Sequence, residues 1–289
     1  MRLPFAAALF AIVALLGAPA AAQQTSAPAT SPGAAAEVVV PNFWDPRARL
    51  ERPAPATIGP IRFLTTDDFP PFNFRDRRGV LIGFNVDLVR AICEELKVGC
   101  AIQSRPFDTL RPALLDGTGD AVIAGLRVDE IPDGDDLLPT NPYLKIPGRF
   151  VTRRDSAFDP AARTLDTFVG TVCGTAHEAF VQRFFPNAKP VCYLSLATAL
   201  QEVKAGSVPA VFADALGLSF WLHGADAEDC CRFAGGPYLD DRYFGEGFTI
   251  VVRPDDRKLR AALDYALREV HRSGRYEEIY LRYFPVGLF

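Results

Sequence analysis

After its first two dozen residues the chain lacks any apolar run near the ~20 residues that cross a bilayer, so the remainder is expected to be soluble. It has no C-x-x-C pair and only three scattered histidines, which argues against a zinc site. No G-x-x-x-x-G-K loop is present, so nucleotide phosphates have no cradle. There is no excess of positive charge: 31 Lys and Arg stand against 35 Asp and Glu, a formal charge of −4. A mildly acidic chain has no electrostatic case for nucleic acid. No repeat appears at solenoid periods. Ser, His and Asp occur without any arrangement that marks a catalytic triad. No cofactor and no metal are expected.

What is present begins with an export signal. Arg2 gives a short basic start, "FAAALFAIVALLG" is an apolar run too short to span, and "APAAAQ" ends in small residues. Residues 1–22 therefore read as a secretory signal peptide cleaved near Ala22, with no cysteine after it to carry a lipid. Removing Arg2 takes the formal charge from −4 to −5. Residues 23–58, rich in Ala, Pro, Ser and Thr, read as a linker too poor in apolar surface to order itself. Within it "VVVPNFWDP" (38–46) either docks on the folded body through Phe43 and Trp44 or stays a mobile tail.

From Ile61 onward the pattern is α/β. "IRFLTT" (61–66) is a strand. Gly83 opens a helix with Phe84, Leu88, Ile92 and Leu96 on one stripe. "CAIQSRPF" (100–107) is a second strand, Asp108 is the expected N-cap of a helix ending at Gly117, and "DAVIAGL" (120–126) has the continuous apolar character of a parallel-sheet strand. A similar set follows from Thr167: "FVGTVCG", "AHEAFVQRFF", "PVCYL", "SLATALQEVKAG" and "PAVFAD". "FGEGFTIVVRP" (244–254) is a strand, and a long amphipathic helical segment ends the chain. The expected architecture is two α/β lobes crossed twice, lobe 1 from 59–150 plus 249–289 and lobe 2 from 151–248. Two crossings make a hinge, and a hinge makes a cleft that can close. In open α/β sheets ligands lie beyond the carboxyl ends of strands. "TDDFPPF" sits at such an end, with Phe69 facing the cleft and Phe72 and Phe74 packed beneath the loop.

Export permits disulfides among Cys93, Cys100, Cys173, Cys192, Cys230 and Cys231. On one continuous helix Cys93 and Cys100 would stand ~10 Å apart along the axis, but a helix ended at Gly99 returns Cys100 to its partner. Cys173 and Cys192 lie in two strands that can be neighbours. The state of Cys230 and Cys231 is open.

"FPPFNF…GVLIGFNVDLVRAI", "FDTLRPALLDGTGDAVIAGL", "TNPY", "VGTVCGTAHEAF", "ALQEVKAGSVPAVFAD" and "FTIVVRPDD…L", in this order across 61–289, resemble the family 3 solute-binding proteins of bacterial ABC transporters. The resemblance implies a periplasmic protein of the type II binding-protein fold. Such a protein closes on a small polar solute, usually an amino acid, and docks on an inner-membrane permease; a monomer is expected. It implies that Phe69 and Phe107 pack on the solute's carbon skeleton and that the main chain at Gly125 bonds to it. It also implies that Thr175 and the amide of Ala176 bind the α-carboxylate at a helix start, and that Asp214 holds the α-ammonium. The Cys93–Cys100 spacing resembles a bridge of the histidine-type members.

The chain also departs from that pattern. Amino-acid binders usually carry (T/S)-x-(T/S)-x-x-R after the strand matching "VIAGL", the arginine pairing bidentately with the solute's carboxylate. Here the stretch is "RVDEIPDGDD": Pro132, or a neighbour, stands at the arginine position and Arg127 at a hydroxyl position. Arg127 takes over the carboxylate, or the solute is another anion, or it is no amino acid at all. Val172 likewise replaces a polar residue of some members. The acids of "DEIPDGDD" suit calcium oxygen for oxygen but not in EF-hand spacing, and read as a solvated loop. Two alternatives remain: a secreted cyclohexadienyl-dehydratase-like enzyme using Glu178 as general acid with His177 assisting, and a sensor or accessory protein acting in trans. Glu178 also suits the first turn of any helix.

Overall fold

The computed structural model describes residues 39–44, 47, 49–131, 137–162, 166–284 and 287–289. The signal peptide, most of the linker's first half, and Pro132 with residues 133–136 of its acidic loop lie outside the described residues. Strand β1 (Ile61–Thr65) leads into a three-stranded hairpin sheet, β2 (Asp68–Phe69), β3 (Asn73–Arg75) and β4 (Leu81–Ile82), where the sequence suggested only a loop. Helix α1 (Phe84–Leu96) follows, then β5 (Cys100–Ser104), α2 (Phe107–Leu115), β6 (Ala121–Val122) and β7 (Leu138–Pro139). The next set is β8 (Gly148–Arg153), β9 (Phe168–Val172), α3 (Ala176–Phe184), β10 (Lys189–Tyr193), α4 (Leu196–Ala205) and β11 (Ala210–Asp214). It continues with α5 (Ala215–His223), β12 (Cys231–Tyr238) and α6 (Asp241–Phe244); β13 (Val251–Val252), α7 (Arg257–Arg272) and α8 (Arg275–Tyr283) close the chain.

Two five-stranded sheets result, ordered β5-β1-β6-β13-β7 and β10-β9-β11-β8-β12. β1 pairs in parallel with β5 and β6, and β9 with β10 and β11. The later strands β7, β8, β12 and β13 run antiparallel to their neighbours, so both sheets are mixed. The chain passes from the first sheet to the second between β7 and β8 and returns between β12 and β13. The expected lobe boundary at residue 150 falls inside β8, a strand of the second sheet. The two passages pair with each other: Tyr143 donates its amide to the Phe248 carbonyl at 2.8 Å, and Phe248 donates to Leu144 at 2.7 Å.

Local chemistry explains most boundaries. Gly83 precedes α1 at φ 135°, and a Cβ there would lie 2.2 Å from the Phe72 carbonyl oxygen, so the close approach of loop and helix requires glycine. α1 ends with Lys97, not Gly99, in the left-handed conformation, and the turn brings Cys100 to Cys93 at a Cα separation of 6.2 Å. Cys173 joins Cys192 between β9 and β10, and Cys230 joins Cys231. α2 starts one residue before Asp108, which sits in its first turn while Pro106 precedes the helix. Proline pre-sets φ for that start and needs no amide partner there.

Phe84, Leu88, Ile92 and Leu96 are buried, as their spacing predicts, against α7, α8 and the sheet. Burying a side chain such as Phe84 fully is worth roughly 1.5–3 kcal/mol. The segment before the domain docks on this core: Val40, Trp44 and Leu50 pack against it, the Phe43 and Phe289 rings lie 5.7 Å apart, and His271 Nε2 meets the Pro41 carbonyl at 2.9 Å.

Candidate functional site

β9 ends at Val172, Cys173 and Gly174 turn the chain, and α3 begins after Thr175. The Thr175 hydroxyl donates to the Val172 carbonyl at 2.7 Å and accepts the Glu178 amide at 3.3 Å; the Glu178 carboxylate reaches back to the Gly174 amide at 2.8 Å. This closed cap spends the Thr175 hydroxyl proton on the chain itself. The amides of Ala176 and His177, in the first turn, have no acceptor within the helix. They form the donor edge of the site, with the positive end of the helix dipole behind them.

β11 ends in Asp214, the N-cap of α5. Its Oδ1 accepts the Gly217 amide at 2.7 Å. Opposite stands Arg127, at the end of the loop after β6. Its guanidinium is held by Asp129 at 3.0 Å and Glu130 at 3.4 Å. Asp129 also accepts the Glu246 amide at 3.1 Å. Gly247 (φ 109°) folds the returning passage so tightly that a Cβ would lie 2.8 Å from the Leu144 carbonyl oxygen.

These groups surround one cavity of about 430 Å³, lined from lobe 1 by Arg127 and from lobe 2 by Thr175, Ala176, His177, Asp214 and Leu216. α6 adds Tyr243 and Phe244, and the two passages add Leu144, Ile146, Gly247 and Phe248. The volume falls within the range of small-molecule sites, and its few polar groups converge on a mostly apolar wall. A wider groove of about 670 Å³ runs along the outer side of α1 and β5. It is lined from one lobe only, whereas the smaller cavity is lined from both.

The sequence-predicted residues divide. Arg127, Thr175, Ala176 and Asp214 share the cavity wall. Phe69 lies one layer away: its ring stacks on Phe72 at 4.8 Å, stands 6.3 Å from Phe248, and fills the space a side chain at Gly125 would occupy. Gly125 reaches Tyr143, whose hydroxyl donates to Asn85 at 2.9 Å. Phe107 is 57 % exposed and lines a separate apolar pit of about 260 Å³ with Leu110, Leu126 and Ile131. Burial holds the His177 imidazole below its ordinary value of 6.5, against the opposing pull of the Asp214 carboxylate. Among the described residues no cluster of metal-ligating side chains occurs, and no helix is long and apolar enough to cross a membrane.

A profile of the bacterial extracellular solute-binding proteins, family 3, matches residues 61–286. The chain belongs to this family. It is a solute-binding protein of the ABC-transport type. It is 32% identical over 244 residues to the L-arginine-binding protein of Pseudomonas aeruginosa, covering 83% of this chain and 93% of that one. It is 28% identical over 240 residues to the lysine/arginine/ornithine-binding periplasmic protein of Escherichia coli, covering 79% and 89%. In fold it is similar to the L-cystine solute receptor of Neisseria gonorrhoeae in its unliganded open conformation, with a TM-score of 0.69 at 18% identity, over 80% of this chain and 94% of that one.

Proposed function

We propose that this solute-binding protein takes a cationic amino acid, arginine or a close analogue, into the cavity between its lobes in the periplasm. It closes on the solute by movement of the two paired passages and presents it as a monomer to an inner-membrane permease. The observation that carries this reading is the charge of the wall. Arg127 is matched by Asp129 and Glu130, so the cavity and its rim keep a surplus of negative charge with Asp214 at its centre. The α-ammonium lies on Asp214, the α-carboxylate on the amides that open α3, and the aliphatic stem on Phe248, Leu144 and Phe244. Arg127 then serves as a strut for the rim, carried by its two acids, and any carboxylate it meets competes with them. Glu178, committed to the cap, has no proton donor's position toward the cavity. The named relatives at 28–32% identity agree with a cationic solute.

A thermal-shift screen tests this. L-arginine at a hundred times its Kd adds about 2.7 kcal/mol of stability by mass action, against none for a solute that does not bind. Asp214→Asn keeps the cap on α5 and should weaken arginine binding by at least about thirtyfold, in the range of truncating one member of a buried charge pair. Arginine bound equally well by Asp214→Asn, or a panel in which dicarboxylates and not cations raise the melting point, defeats the reading.

A further inference from the structure

We propose that His177 is a specificity-determining contact of the cavity: its neutral imidazole accepts a hydrogen bond from a cationic solute beside Asp214, and its protonated form rejects that solute. The proposal rests on the cationic-solute reading above and assigns it a residue and a pH dependence.

The geometry puts His177 where it can do this. It lies in the first turn of α3, on the wall shared with Asp214. Its ring stacks on Phe244 at 4.9 Å with the planes 23° apart, and approaches Phe212 at 5.9 Å. Phe244 therefore covers one face of the ring and Phe212 packs beside it, while its ring nitrogens make no hydrogen bond with any described residue. The nitrogens are the only polar atoms of a ring that lines the cavity. A neutral imidazole offers one acceptor and one donor there. The N–H groups of a guanidinium or ammonium suit the acceptor and the nearby carboxylate together.

Charged and titratable groups face it from four elements. From β11 comes Asp214, whose Oδ1 is bound to Gly217. From α6 come Tyr243 on the cavity wall and Asp241, which is paired with Lys145 at 2.7 Å. From the facing loop comes Arg127, paired with Asp129 and Glu130. On its own helix Glu178 is turned to the Gly174 amide. Among the described residues, Asp214 is the carboxylate whose charge acts on the ring. Solute cation and imidazolium therefore compete for one carboxylate, and two like charges side by side in a partly desolvated cleft repel. The solute wins at neutral pH, where burial keeps the ring uncharged, and loses ground as acid protonates it.

Calorimetric titration of the full chain with L-arginine, at about pH 7.5 and about pH 5.5, tests the proposal. L-glutamine serves as a neutral comparison and His177→Gln as the non-titrating variant. The wild type should bind arginine more than about twofold more weakly at the lower pH. In His177→Gln the ratio of the two affinities should fall below about twofold, whatever the absolute affinity. Carbon-detected NMR of the ring should show its titration moving to lower pH when arginine is added, a readout that does not depend on the variant folding. Failure of the wild type to bind arginine at about pH 7.5, with glutamine bound, removes the cationic-solute reading and the role of His177 with it. Arginine bound equally at both pH values, or a variant with an unchanged ratio, removes the role of His177 alone.

Discussion

The two lobes are built on the same sheet plan, yet their interiors are organised differently. In lobe 1 a small cluster of Leu64, Leu110, Leu114, Val122 and Val251 lies on one face of the sheet, and a far larger one runs from Ile61 through Phe84, Leu88 and Ile92 to Leu263, Tyr280 and Leu288 on the other, under α1, α7 and α8. Inside it a polar chain links Tyr143 to Asn85, Asn85 to Asn73 and Asn73 to Thr66, at 2.7–2.9 Å. In lobe 2 the sheet divides the interior more evenly. Phe150, Phe180, Phe212 and Phe244 fill one side, and Val151, Leu200, Val203, Val211 and Leu218 the other. The aromatic side continues into the cavity, because Phe244 and Phe212 are also the neighbours of His177. Lobe 1 is thus a platform that adds Arg127 and whose core meets the cavity at the passages, through Leu144 and Phe248, while the core of lobe 2 continues into the wall through Phe244 beside His177.

The largest effects should come from truncating the centre of each core. Phe84→Ala and Phe212→Ala remove rings that are fully buried and should each cost about 3–5 kcal/mol in urea unfolding. Their consequences for binding should differ. The folded Phe84→Ala protein should hold arginine within about twofold of wild type. Phe212→Ala loosens the support of His177 and Phe244 and should weaken binding about tenfold, a shift of about 1.4 kcal/mol. Equal binding losses for the two would mean that the cavity depends on both cores alike.

The disulfides sharpen the same contrast at a smaller scale. Cys93–Cys100 closes a separation of 7 residues in lobe 1, and Cys173–Cys192 closes 19 in lobe 2. On the loop-entropy account, replacing the first pair with Ser costs about 2 kcal/mol and the second about 3 kcal/mol. The second bridge also ties β9, immediately before Thr175, to β10, so its loss should lower arginine affinity as well as stability. Differential melting with and without arginine separates the two. A lobe 1 bridge whose removal lowered affinity more than the lobe 2 bridge would reverse the assignment of platform and binding wall.

The sequence revealed some of this directly and hid the rest for physical reasons. The stripe Phe84, Leu88, Ile92 and Leu96 announced its helix because every fourth position is apolar. Thr175 and Asp214 were legible because each ends an apolar strand run and opens a helix. β12 was missed: "CRFAGGPY" has neither alternation nor an apolar run, and it is held as an edge by pairing with β8. α5 was missed because "ALGLSFWLH" is apolar on nearly all sides. Phe248, Tyr243 and Phe244 reach the cavity through the turns at Gly245 and Gly247, so nothing in their spacing pointed to a ligand; the pair of glycines in "FGEGF" was the available signal. Phe107 differs in the opposite way. Its motif was visible, but the helix start leaves the ring beside Leu110 and Leu126, away from the cavity.

The smallest expected effect concerns how the first passage is fastened to lobe 1. Asp264 of α7 is 2% exposed, accepts the Asn141 amide at 2.7 Å, and pairs with the half-exposed Arg260 at 2.9 Å. Burial raises its carboxyl above the ordinary value of 3.8, and the Asn141 and Arg260 contacts oppose this without cancelling it. A carboxyl raised on folding favours the folded state most when protonated, and that contribution is lost as pH rises through the folded value. Asp264→Asn keeps an acceptor for Asn141 and removes the titration. The variant should therefore gain on wild type as pH rises from about 3 to about 6. At neutral pH the two should stay within about 1 kcal/mol, since an exposed partner such as Arg260 contributes little. Urea unfolding at both ends of that range decides it. A variant that loses ground with rising pH would show that the Arg260 pair outweighs burial, making the fastening of the passage to lobe 1 ionic at its root.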